Sequence, residues 1–283
     1  MKTLEEFGQW LEGLGKSPGT ARMYVSSIRS CKKGKDILSS LKGRKLSAST
    51  KVAHRAALRQ WATFTEDKEL AESLDNPQLK RSISRPGSSM PKRVKPLSPE
   101  QMINFRKILD GLKKNPKIDG WVWPALSIFR KLALRAGVDL CQIRKDAAQE
   151  ALEVDVLQIW TKGGRVREVP AHDIKEELEW LLQYKRWTIL ADLISPGATE
   201  KGRVNAAYKQ VSSWLKIIAE GAGINPEDIH SHRFRHTRAV ELYNTSKDIL
   251  AVQKFLGHKN IETTIKYLHV DMTQLAEYLR KLD

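Results

Sequence analysis

The chain has 283 residues, enough for one large or two modest domains, and its 41% hydrophobic fraction is ordinary for a globular protein. Its charge is not: 49 Lys and Arg against 33 Asp and Glu leave a formal net of +16. That excess suits a polyanion, with nucleic acid the default partner, although a solvated basic surface accounts for charge alone equally well. The two cysteines, Cys31 and Cys141, lie far apart and form no CxxC, so neither a zinc ribbon nor a disulfide framework is supported. The opening MKTLEEFGQW lacks the apolar stretch of a signal peptide, and no apolar run approaches bilayer length. The expected location is the cytoplasm, where DNA is available.

The first elements read as helices. Leu4, Phe7, Trp10 and Leu11 stand at helical spacing. A second segment follows the turn and cap signal Lys16-Ser17-Pro18-Gly19-Thr20 and runs through Tyr24 and Ile28. A third starts near Ser47 or Ser49 and carries Val52, Ala56, Leu58, Trp61 and Phe64; a shorter one covers Leu70 to Leu74. Together they predict a small bundle of about four helices. Residues 80 to 97 then read KRSISRPGSSMPKRVKPL, with six basic residues, no acidic ones and three prolines. Such a composition builds no core and predicts a linker over 81–97, whose cations also suit phosphates.

Ser98 and Gln101 stand at the capping-box positions of a new helix, and helices are expected from 121 to 146. The period then changes. Leu152, Val154 and Val156 alternate, Thr161-Lys162-Gly163-Gly164 makes a tight turn, and Val166 to Val169 runs back, which predicts a β-hairpin. The remainder is helical, interrupted at Pro196-Gly197 and Gly221-Ala222-Gly223.

The chemistry gathers between Ile229 and His269. Ser231 is placed to cap a helix starting at His232, and His232 and Arg235, three apart, share its first turn. A helix start already favours a phosphate, and an imidazole and a guanidinium there make a clamp. A second helix is expected after Ser246, with Ile249, Val252 and Phe255 inward, stopping at Gly257 and so placing His258 just past its end. A third begins near Asn260, with Ile261, Ile265 and Leu268 as its buried stripe and Tyr267 presented off that stripe.

These residues resemble the signature of the tyrosine recombinases, the phage integrase family: H-x-x-R at His232 and Arg235, Leu-Gly-His at Leu256-Gly257-His258, and a tyrosine nine residues on at Tyr267. The hairpin adds Lys162 in Thr161-Lys162-Gly163-Gly164 followed by Val169-Pro170, similar to the turn that carries the family's mobile lysine. The family's first arginine stands three before a Glu-Leu pair. Here Arg135 stands four before Asp139-Leu140, on the same face if that stretch is helical, with Arg130 and Arg144 as the alternatives.

The resemblance implies a mainly α fold with a small β-hairpin. A helical core-binding domain (1–80) and a mixed α/β catalytic domain (98–283) would clamp DNA from opposite sides. The linker would run Lys92, Arg93 and Lys95 along the phosphate backbone. It implies that Tyr267 attacks the DNA phosphorus to form a 3′-phosphotyrosine, that Arg135, Arg235, His232 and His258 hold the phosphate, and that Lys162 protonates the leaving 5′-oxygen. No cofactor or metal is expected, because arginines are the electrophilic clamp. Four protomers on two duplexes are implied, with the amphipathic tail 272–283 docking on a neighbour or folding back on its own domain. His230, His232 and His236 lack an HExxH partner and read poorly as a metal cluster. Tyr243 reads as core, and Tyr278 lacks the His-to-Tyr interval. The alternatives are a type IB topoisomerase-like relaxing enzyme and a catalytically silent DNA-binding protein of the same fold.

Overall fold

A computed structural model describes residues 2–32, 46–79, 95–115, 117–161, 165–195, 197, 199–265 and 268. The chain divides into two compact units, Met1–Arg93 and Val94–Asp283. Both are helical, and the one sheet among the described residues is a two-stranded antiparallel hairpin.

The first unit contains α1 (Leu4–Gly13), α2 (Pro18–Lys32), α3 (Ala48–Thr65) and α4 (Lys68–Asp75). Each start has a local cause. Thr3 and Glu6 form a reciprocal capping box, Ser47 caps α3, and Asp67 caps α4 by accepting from the Leu70 N–H. The inward faces bury Phe7, Leu11, Ile28, Leu58, Trp61 and Leu74. Phe7 meets Trp61 edge-on at 5.1 Å between ring centroids, an arrangement the ring quadrupoles favour. Val52 is 53% exposed, and the buried stripe of α3 runs through Ala57, Leu58, Trp61 and Ala62.

The second unit is built around α6 (Val122–Lys131), whose residues Val122 to Phe129 are all buried. A helix apolar on every side belongs at the centre of a domain. It is surrounded by α5 (Pro99–Leu112), α7 (Lys145–Val154), α8 (Lys175–Leu182), α9 (Leu190–Ile194), α10 (Glu200–Gly221) and α11 (Ser231–Ser246). Ser98 and Gln101 form the expected capping box of α5. The end of the basic stretch already belongs to this core: Leu97 is buried, and its N–H donates to Thr237 Oγ1 on α11 at 2.8 Å.

The hairpin pairs β1 (Val156–Thr161) with β2 (Arg165–Pro170) in the register Ile159 opposite Arg167. It begins later than its alternation suggests. Leu152 and Val154 lie on α7, which buries Ala147, Ala148 and Ala151 at helical spacing and stops where Asp155 turns left-handed at φ 58°. The turn residues 162–164, the linker residues 80–94 and everything after Leu268 lie outside the described residues.

Candidate active site

Arg135, the residue expected as the first arginine, sits on a turn. After α6 the chain passes through Ala133 at φ +53°, a conformation that costs a residue with a Cβ, and then reaches Arg135 in non-helical backbone. The expected helical face is therefore absent here. What holds Arg135 is Asp139, which is fully buried: one carboxylate oxygen accepts from the Arg135 N–H at 2.9 Å, the other from its Nη1 at 3.5 Å. The N–H groups of Asp139 and Leu140 return to the Arg135 carbonyl and close the turn.

Helix α11 brings the second arginine. Phe234 stacks edge-on with Phe105 of α5 and Phe129 of α6, at 4.7 and 5.5 Å between centroids, and so fixes the rotation of the helix. That rotation drives Arg235 inward, where it is 1% exposed. Its Nη1 donates to the Ala133 carbonyl at 2.8 Å, and its Nη2 donates to the Leu256 carbonyl. Ser231 is the first helical residue rather than the cap. His230, in extended backbone, occupies the cap position without a side-chain bond, leaving the first N–H groups of α11 uncapped by a side chain. His232 stands exposed in that first turn.

Helix α12 (Ile249–Leu256) is capped by Asp248, buries Val252 and Leu256, and ends on Gly257 at φ +66°. Ile249 and Phe255 are half-buried. The left-handed glycine turns the chain and delivers His258, whose Nδ1 lies 3.0 Å from Thr264 Oγ1. Thr264 is on α13 (Ile261–Ile265) and is fully buried. The predicted stripe is thus displaced: Ile261 and Ile265 are exposed, because α13 turns its threonine toward His258.

The charges of these groups act on one another. Burial, then Arg235, Arg135 and Arg167, push His258 down to about 4. His232 is also lowered, first by loss of water around its ring and then by His230, Arg235 and Arg135. In both imidazoles the neighbouring guanidinium groups disfavour the protonated form. Arg130 and Arg144 are elsewhere. Arg130 is lowered by burial and responds to Arg106, Arg238, Glu241 and Asp110, while Arg144 is bonded to Asp146.

Two members of the cluster were missed in the sequence. Asp139 registered only as half of a motif. Arg167 was not singled out, yet it is 6% exposed and points inward from β2 between exposed Val166 and exposed Glu168. A charge in the inward register of a strand is the signal that finds it. Of the other expected residues, Lys95 is exposed, and Lys162, Tyr267, Lys92 and Arg93 lie outside the described residues. Tyr243 is half-buried against Ala239 and Val252. Among the described residues no group of three His, Cys, Asp or Glu is arranged to hold a metal, and no helix is long and apolar enough to cross a membrane.

Residues 100–274, more than half of the chain, match the family model described as "Phage integrase family". The tyrosine recombinase XerA of Thermococcus kodakarensis is 26% identical over 294 residues, covering 99% of this chain and 93% of that protein. The tyrosine recombinase XerC of Proteus mirabilis is 30% identical over 135 residues, covering 44% of this chain and 41% of that protein. Among solved structures, the fold is similar to the Tn1549 transposon integrase in complex with transposon right end DNA (TM-score 0.71, 16% identity, 100% and 99% of the two chains). It is also similar to the XerH site-specific recombinase in a post-cleavage complex (TM-score 0.62, 19% identity, 98% and 84%). The chain belongs to the phage integrase family, the tyrosine recombinases, site-specific enzymes that bind DNA, cut it and rejoin it. The comparisons lend no support to a topoisomerase or to a silent DNA-binding protein.

Proposed function

We propose that Arg135, Arg235, His232 and His258 hold the scissile phosphate while Tyr267 attacks it. The observation that carries this reading is geometric: Arg235 on α11 donates to the Ala133 carbonyl, two residues before Arg135, and to the Leu256 carbonyl, two residues before His258, which draws the three motif segments together. A phosphodiester resists attack because it is already an anion. Two guanidinium groups on its non-bridging oxygens offset the charge that grows at the transition state. Tyr267 releases its phenolic proton to solvent, its oxygen forms a bond to phosphorus, the bond from phosphorus to the 5′-oxygen breaks, and Lys162 gives that oxygen a proton. The resulting 3′-phosphotyrosine keeps the bond energy, and attack by a 5′-hydroxyl reverses the steps. The arginines supply the electrophilic clamp, so the scheme uses no cofactor.

In the same reading, residues 1–80 form a core-binding domain, and Lys92, Arg93 and Lys95 of the 81–97 linker follow the phosphate backbone. Binding then weakens steeply with salt. Recombination joins four protomers on two duplexes, with the tail 272–283 docking on a neighbour, and takes place in the cytoplasm. The test is incubation with nicked suicide substrates from the protein's own genomic neighbourhood, followed by a denaturing gel. A covalent adduct lost in Tyr267→Phe supports the assignment. An adduct that survives the substitution places the nucleophile elsewhere, and no adduct despite DNA binding overturns the reading.

A further inference from the structure

Arg167 is a buried cation with unfilled bonding capacity. Its Nη2 donates to the Leu132 carbonyl at 3.1 Å, while its Nε and Nη1 are buried and have no hydrogen-bond partner. Its guanidinium lies 5.3 Å from the centre of the Phe255 ring. Its stem packs so closely under Gly257 that a Cβ there would come within 3.0 Å of Arg167 Cδ. The residue is therefore held from three sides: the hairpin, the turn after α6 and the end of α12. The arginines of the site converge on that turn, since Arg167 takes the carbonyl of Leu132 and Arg235 takes that of Ala133, two residues before Arg135.

Arg167 also lies in the field of two further guanidinium groups, Arg235 and Arg135, with Asp139 the carboxylate that acts on it. Buried donors without partners are rare in native structures and call for a ligand, a water or a strain role. A buried guanidinium with unpartnered N–H groups suits an anion. An exposed face would have hydrated the guanidinium at no cost, yet the strand turns it inward and turns Val166 out.

We propose that Arg167 is a third charge-compensating arginine of the phosphate site, whose two unfilled N–H groups serve the anion that forms there during strand cleavage. The proposal rests on the phosphoryl-transfer reading above. It assigns β2 a contribution of its own to the site, through Arg167.

The experiment compares wild type, Arg167→Met and Arg167→Lys on two suicide substrates, one with the natural scissile phosphodiester and one with a methylphosphonate, which lacks a negative charge at that phosphorus. DNA affinity is measured in parallel and is expected to stay within about threefold, since the remaining phosphate contacts dominate it. Arg167→Met is expected to form adduct on the phosphodiester at least about 100-fold more slowly than wild type. On the methylphosphonate it should recover to within about tenfold of wild type, because the missing cation is no longer needed. Equal slowing on both substrates, or no slowing on either, overturns the proposal, since a purely structural contact is indifferent to the charge on phosphorus. If Arg167→Met does not fold, Arg167→Lys carries the test. Lysine keeps the charge but loses the fork, so slowing on the phosphodiester that the methylphosphonate relieves supports the proposal, and no slowing overturns it. A deep loss that the methylphosphonate does not relieve overturns it. Wild type that forms no adduct on the phosphodiester overturns the phosphoryl-transfer reading itself, a result distinct from any difference among the Arg167 variants.

Discussion

Thr264 Oγ1 lies 3.0 Å from His258 Nδ1, so a fully buried threonine on α13 holds the imidazole that follows α12. The bond joins two consecutive helices of the C-terminal region across the Gly257 turn. Partners of this kind orient a functional ring that does not otherwise have a fixed rotation. Thr264→Val keeps the shape and deletes the bond. It is expected to slow adduct formation about tenfold in single-turnover assays, with Thr264→Ser closer to wild type. Equal rates for valine and threonine would show that the bond has no part in positioning His258.

The alternatives for the first arginine separate by mutation. Arg135→Gln is expected to lower the cleavage rate by about 100-fold or more, as loss of one transition-state donor does. Arg144→Gln is expected to leave it unchanged, because Arg144 is exposed and engaged with Asp146. The same suicide-substrate assay reads both variants. A large loss in Arg144→Gln would move the assignment.

Asp139→Asn removes the carboxylate from among Arg135, Arg167 and Arg235. Breaking a buried pair leaves its partners uncompensated, and a destabilisation of about 3 kcal/mol is expected in urea denaturation. Added phosphate or sulfate should recover part of it by supplying an anion to the same cations. Full stability in Asp139→Asn without added anion would argue against Asp139 as the counter-charge of Arg135 and Arg167.

The pH dependence has a definite sign. His258 is lowered to about 4 in the folded chain and His232 is lowered as well, so the unfolded chain binds more protons between that value and the ordinary histidine range. Stability from these groups is complete above about pH 6.5 and is lost as pH falls toward 4. Melting temperatures of DNA-free protein across pH 4 to 7 should show a decline that is shallower in His258→Gln. Because a phosphate favours the protonated imidazole, DNA binding near pH 5.5 should take up protons. Calorimetry in buffers of different ionisation enthalpy measures that uptake.

Gly257→Ala meets two obstacles, the left-handed φ of +66° and the stem of Arg167 at 3.0 Å. A loss of about 1 to 2 kcal/mol is expected from the backbone alone. The cleavage rate should fall further than stability accounts for, because Arg167 is displaced. A variant with normal cleavage would show that the site tolerates movement of that stem.

The residues His232, Arg235 and His258 were legible because their spacing in sequence is also their spacing along helices and across one glycine turn. The Ser98–Gln101 cap was legible for the same reason: both partners lie within four residues. Arg135 was singled out on an assumed helical face that the structure lacks, since a turn held by Asp139 and a left-handed Ala133 leaves no periodic trace. Arg167 was missed because an arginine between Val166 and Glu168 reads as solvent-facing; only the pairing of β2 with β1 and the packing under Gly257 reveal that it points in. Ile261 and Ile265 misled because apolar spacing on a short helix says which residues share a face, not which face is covered. Thr264 outweighs them through one hydrogen bond.

The entry of the chain into the second unit has a mechanical consequence. The Lys95 carbonyl accepts from Arg233, the Leu97 N–H donates to Thr237, and Thr237 donates in turn to the Arg233 carbonyl. These stitches fasten the strand of chain emerging from the basic stretch directly to α11, within two residues of both His232 and Arg235. A pull on that strand is therefore felt first by the helix that carries both residues.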